Sequence, residues 1–142
     1  MEPGAAVAFA RGTRRSVLAT IRRDGRPQLS NVFHQVDDDG LVRLSITADR
    51  AKYRNLRRDP WAALHATRDD FAAWVVLEGA VDLSPVAADP DDPTVDDLVA
   101  HYRAVIGEHG DWAAFRRSQV ADRRVVARLR PTRAYGSAPG GG

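Results

Sequence analysis

Residues 16–36, SVLATIRRDGRPQLSNVFHQV, decide the architecture. Two runs with strand character, 16–22 (SVLATIR) and 27–36 (PQLSNVFHQV), flank Asp24-Gly25. The first alternates weakly and is rich in β-branched residues, as a strand should be. An Asp-Gly pair between two such runs is the strongest short hairpin signal. Pro27 stands at the start of the second run, where its missing N–H is tolerated. A second turn, 37–40 (DDDG), leads to a third run, 41–47 (LVRLSIT). There Val42, Leu44 and Ile46 share one face and Arg43, Ser45 and Thr47 the other. Residues 61–67 (WAALHAT), 73–83 and 125–135 (VVARLRPTRAY) complete six predicted strands, and Gly79 inside the fifth marks a bulge or bend.

The period changes between these runs. Ala5 to Ala10 reads as a short helix. Residues 50–58 (RAKYRNLRR) read as a second, N-capped by Asp49 and stopped by Asp59-Pro60. In 94–106 (TVDDLVAHYRAVI), Val95, Leu98, Val99, Tyr102 and Ile106 fall on one helical face, with Gly107 as a stop. A fourth helix spans 111–121, capped by Asp111. Six strands with hairpin turns and helical insertions predict a mainly β chain, a six-stranded antiparallel barrel over residues 1–136 with a flexible tail at 137–142. A doubly wound sheet would alternate strand and helix throughout. Neither a Gly-rich dinucleotide fingerprint nor a phosphate-loop motif is present.

The 142 residues suit one domain. No apolar run approaches the length of a membrane span, and residues 1–10 lack the pattern of a secretory signal, so a cytoplasmic protein is expected. With no cysteine there is no disulfide framework and no thiolate chemistry. Net charge is only +2, which gives nucleic-acid binding no support. His34, His65, His101 and His109 show no metal-cluster spacing; His65 reads as a strand residue and the other three as surface. Asp91, Asp92, Asp96 and Asp97 do not fit a calcium loop and read as helix caps. No metal site is expected. Trp61, Trp74, Trp112 and Phe115 read as core and interface.

One segment carries chemistry. In 45–55 (SITADRAKYRN), a strand with Ser45 and Thr47 on its polar face runs into a helix that opens with Arg50 and Lys52. Lys52 is the only lysine of a chain otherwise supplied with arginine. Cations at a helix N-terminus oppose the macrodipole at ~0.3–1 kcal/mol each. Two of them beside free N–H groups and hydroxyls make an anion site of the kind that binds phosphate. A solvated basic helix, continued by Arg54, Arg57 and Arg58, is the competing reading. On the second strand Gln28 and Ser30 share a face, with Asn31 on the other unless the strand is bulged; such amides and hydroxyls suit the edge of a flavin-like ring.

The stretches GTRRSVLATIRRDGRPQLSNV, LSITADRAKYRNLRRDPWAAL, LEGAVDLSP and DRRVVARLRPTRAYG together resemble the pyridoxamine-phosphate-oxidase-like split-barrel superfamily, in its F420-dependent oxidoreductase branch (the B group). The resemblance spans roughly residues 12–136. It implies that Arg50 and Lys52 hold the phosphate of coenzyme F420, that Ser45, Ile46 and Thr47 line the same groove, and that Gln28, Ser30 and Asn31 lie beside the deazaflavin ring. It also implies a homodimer with the cofactor between subunits, completed near Ala73 and Trp74 of the second chain. The implied reaction moves a hydride between deazaflavin and a conjugated small molecule, with no catalytic side chain expected. An FMN-binding oxidase acting on pyridoxine phosphates is the alternative within the fold, imitated by Arg128-Leu129-Arg130-Pro131. A non-catalytic carrier of flavin, F420 or haem is the alternative outside enzymology.

Overall fold

In the computed structural model, which describes residues 1–138, the chain runs α1 (Pro3–Arg11), β1 (Arg15–Ile21), β2 (Pro27–Val36), β3 (Val42–Thr47), α2 (Ala51–Arg58), β4 (Trp61–Thr67), β5 (Trp74–Leu83), α3 (Pro93–Val105), α4 (Trp112–Ala121) and β6 (Arg124–Ser137). The strands form a closed barrel in the order β1-β2-β3-β6-β5-β4, with β4 returning to β1. All neighbours are antiparallel. The expected six-stranded antiparallel barrel with helical insertions is what the chain forms. β6 runs through Ser137, and the rest of the expected tail, from residue 139, lies outside the described residues. No helix among the described residues is long and apolar enough to cross a membrane.

The turn chemistry works as the sequence predicts. Gly25 takes φ +86°, a conformation that glycine adopts without a Cβ clash. Asp24 Oδ1 accepts the Arg26 N–H at 3.0 Å, and Arg22 N–H closes the hairpin on Arg26 O at 2.8 Å. The β5–β6 register shifts between Glu78 and Gly79. A Cβ at Gly79 would sit 1.8 Å from the Arg130 carbonyl oxygen, so this strand glycine is required by close backbone approach.

Alternating inward residues fill the barrel: Leu18, Leu44, Leu64, Leu77 and Leu129 are fully buried. Ala6 and Ala10 of α1 and Leu56 of α2 join the same core. The two helices meet opposite ends of β1. At one end Ser16 Oγ lies 2.7 Å from His34 Nδ1, whose Nε2 is 3.0 Å from Ala10 O and 3.1 Å from Thr13 Oγ1. At the other, Asn55 Nδ2 donates to Thr20 Oγ1 at 3.1 Å. His34 is therefore not the surface residue expected; it is 1% exposed on the inward face of β2, with both ring nitrogens partnered.

α3 and α4 lie on the outer face of β3 and β6. Val95, Leu98 and Val99 are buried as predicted, but the face is rotated: His101 and Val105 take the inward positions, and Ile106, which caps the helix, is exposed. Of the four aspartates read as caps, Asp92 caps α3 through the Val95 N–H. Asp97 instead pairs with two arginines of the sheet, Arg43 Nη1 at 3.0 Å and Arg128 Nη2 at 2.6 Å, and Asp96 pairs with Arg116. Arg43 is buried, so Asp97 supplies the charge that makes its burial tolerable. Asp97→Ala should cost stability toward the lower end of ~3–5 kcal/mol, since Asp97 and Arg128 keep some solvent contact. A urea midpoint unchanged by that substitution would show that the pair does not hold α3 in place.

Burial, then the nearby Arg43 charge, pushes His101 down to about 4, and burial lowers His34 as well. Unfolded, both take up protons near the ordinary value of 6.5. Because the unfolded chain binds more protons between these values, stability is full above about pH 6.5 and falls as the pH drops toward 4, by on the order of 3 kcal/mol for His101. Urea midpoints measured from pH 7.5 to 4.5 should decline, and the decline should be shallower in His101→Gln.

Candidate functional site

β2 leaves β3 early. Its ten residues pair with β1 from Pro27 to Phe33, but with β3 only across His34↔Leu44, Gln35↔Arg43 and Val36↔Val42. β3 meanwhile stays on β6 through Thr47↔Arg124. Between the diverging strands lies a cleft of about 380 Å³. Gln28 and Ser30 line it from β2; Ser45, Ile46 and Thr47 line it from β3, with the Ile46 side chain buried in the core. Arg50, Ala51 and Lys52 close it from the start of α2, and Arg124 from the start of β6.

Arg50, not Asp49, is the N-cap of α2. Its φ/ψ of −88°/156° is extended, its side chain makes no capping bond, and the first turn carries no acid. Asp49 contributes only its carbonyl, which accepts from Arg54 Nη1. The helix therefore presents uncapped N–H groups and an unopposed dipole toward a space that already holds cations.

The cleft lining includes three cations and no carboxylate. Burial first, then the charges of Arg50 and Arg124, hold the Lys52 ammonium below the ordinary lysine value. Its Nζ reaches only Ser30 Oγ, at 3.5 Å. Arg124 Nη1 lies at the same distance from Ser45 Oγ; its buried Nε makes no hydrogen bond and is opposed only by Asp122 Oδ2, 3.8 Å away and outside the cleft lining. Donors this loosely engaged, and cations this poorly opposed, are what a bound anion would satisfy.

Seven residues singled out from the sequence thus meet in one cleft: Gln28 and Ser30, the 45–47 triplet, and Arg50 with Lys52. Three do not. The β1–β2 register is unbroken, so Asn31 points to the outer face, where it lines a separate groove with Val17 and His65. Ala73 is fully buried. Trp74 packs edge-on against His65 at 5.5 Å and Tyr135 at 6.0 Å, on the outside of the barrel. Arg124 escaped the sequence reading. It stands one residue before the predicted sixth strand, and only the cross-strand pairing with Thr47 brings it to the cleft.

Known structures superimpose on this barrel along nearly its whole length. A conserved hypothetical protein of Mycobacterium tuberculosis matches with TM-score 0.72 and 25% identity, over 96% of this chain and 84% of that one. A structure described as an F420 reductase matches with TM-score 0.71 and 25% identity, over 90% and 94%. The haem storage protein HutZ of Vibrio cholerae, 15% identical over 96% of each chain, shares the fold at TM-score 0.69. The family model described as pyridoxamine 5'-phosphate oxidase matches residues 3–138, and the protein belongs to that family.

Proposed function

We propose that the cleft between β2 and β3 binds coenzyme F420 and that the protein is an F420-dependent oxidoreductase acting on a conjugated small molecule. The observation that carries this reading is the gathering of Arg50, Lys52 and Arg124 around one cleft whose lining holds no acid. The likeness to a structure described as an F420 reductase supports the choice of cofactor. Arg50 offers a two-pronged guanidinium to a phosphate, Lys52 a point charge, and the start of α2 its free N–H groups. Gln28 and Ser30, one strand away, offer an amide and a hydroxyl to the edge of the ring. When bound, the deazaflavin supplies the carbon that gives or takes the hydride. This chain's residues hold and orient; none is needed as a covalent participant, and the accompanying proton can come from solvent.

A homodimer fits the outer surface. Leu29 (66% exposed), Phe33 and Tyr135 are large apolar side chains left open there, and Phe71 is 81% exposed at the β4–β5 turn. A second chain covering this face would also bring Trp74 and Asn31 into an interface. The same three cations suit the phosphate of FMN, and the pyridoxamine 5'-phosphate oxidase family match favours FMN as the second reading.

Fluorescence titration with F420 and with FMN decides between them: F420 should bind at micromolar concentration or tighter, and exclusive binding of FMN overturns the first reading. Lys52→Ala should weaken the bound cofactor roughly ten- to a hundredfold, the ~1.5–3 kcal/mol of a hydrogen bond to a charged group. Unchanged affinity would place the phosphate elsewhere.

The pH dependence has a definite sign. The anion prefers charged Lys52, so affinity should fall as the pH rises through a lysine value lowered from 10.5. Lys52→Arg, which stays charged, should bind equally well across that alkaline range. A limb that persists in the arginine variant would assign it to another group.

A further inference from the structure

Ser45 and Arg124 line a second cleft as well as the first. This one, of about 320 Å³, lies between the outer face of the barrel and the α3–α4 pair. Its character is opposite. Phe33 forms one wall; Leu98, Tyr102, Val105 and Phe115 form most of the other. The aromatic wall is braced, with Tyr102 4.9 Å from Phe115 and 5.9 Å from Trp112, ring centre to ring centre. Beyond the shared Ser45 and Arg124, its polar lining groups are His101, Gln119 and the hydroxyl of Tyr102.

His101 is the anomaly. It is 6% exposed, it lines the cleft, and its buried Nδ1 has no hydrogen-bond partner. A buried polar atom without a partner costs desolvation energy that nothing in the chain offsets, and native structures carry few of them. Burial and Arg43 keep the ring neutral at physiological pH. A neutral imidazole has one donor and one acceptor nitrogen, which suits an uncharged polar group such as a carbonyl.

We propose that this cleft is the substrate subsite and that it takes uncharged aromatic or conjugated compounds of one or two rings carrying a carbonyl, hydrogen-bonded by His101. The proposal rests on the reading of the first cleft as the cofactor site. Two reactants exchanging a hydride must touch, and the seam at Ser45 and Arg124 is where occupants of the two clefts would meet. The polar cleft matches a phosphorylated cofactor and the apolar one an uncharged partner. Outside the shared Arg124, the second cleft has no cation among its lining residues to hold a phosphorylated substrate.

The probe is 1-acetonaphthone, titrated calorimetrically into the full chain without cofactor. Saturable binding is expected, unchanged within twofold by Lys52→Ala. Ile106, exposed at the end of α3 and part of the cleft lining, can be enlarged with little risk to folding. Ile106→Trp should weaken acetonaphthone at least tenfold and leave FMN and F420 affinities within twofold. His101→Phe should remove the preference for acetonaphthone over naphthalene. No saturable binding, or no effect of Ile106→Trp, overturns the subsite. Parallel loss of acetonaphthone and cofactor in Ile106→Trp also overturns it, by assigning the cleft to the cofactor ring. Should neither FMN nor F420 bind the wild-type chain, the reading of the first cleft fails while the acetonaphthone result still stands by itself.

Discussion

The divergence of β2 from β3, with the start of α2 held at its mouth, is the constraint on which the rest of the molecule depends. A barrel of six fully paired strands would bury its interior and leave no concave surface between β2 and β3. Here β2 and β3 share three residue pairs, and beyond them residues 28–32 of β2 are laddered on one side only. An opening in a sheet exposes main-chain donors and acceptors, which need partners or water. α2 is anchored beside that opening, on β1 and the core. Leu56 drives into the barrel core, Asn55 reaches Thr20, and Arg58 donates to the Ile21 carbonyl. A helix tied down by its second half is held with its first turn at the mouth of the opening, and that first turn carries Arg50 and Lys52.

The same economy governs the opposite end of the barrel. His34 occupies an inward position that alternation would give to an aliphatic residue, and it is tolerated because α1 and β1 surround it with Ala10 O, Thr13 and Ser16. His101 is buried on the outer side of the sheet without such compensation at Nδ1. The contrast between the two histidines is one of satisfaction: His34 has partners on both ring nitrogens, and His101 Nδ1 is buried with none.

How far the sequence discloses this molecule can be read from individual residues. Asp24-Gly25 and Gly79 announce a hairpin and a bulge, because each is needed for a local backbone reason. Six of the seven cleft residues are legible because strand alternation puts Gln28 with Ser30 and Ser45 with Thr47, and because cations at a helix start contradict the dipole; Ile46, on the core face, comes only with the family resemblance. Asn31 falls elsewhere because alternation sends it outward. Arg124 and His101 are invisible for a different reason. The first reaches the cleft only through a pairing between strands some eighty residues apart, and the second lies on the face of α3 that packs on the sheet, beside the Arg43–Asp97–Arg128 pairing. Local pattern reports which face a residue occupies on its own element; it does not report what other elements bring against that face.

Burial of charge explains why the two clefts differ so sharply while sharing a wall. On the cationic side Lys52 is half-buried yet loosely bonded, so an anion there would replace lost hydration and lower the mutual repulsion of three side chains. On the apolar side an anion would find only Arg124, at the seam, and a second charge there would compete with the first for the same guanidinium. Arg124 belongs to both clefts, and its buried Nε makes no hydrogen bond, with the Asp122 carboxylate 3.8 Å away. On the proposed assignment, an arginine serving one anion would leave the neighbouring space suited to an uncharged molecule, so the choice of partner on one side of the seam would follow from the charge held on the other.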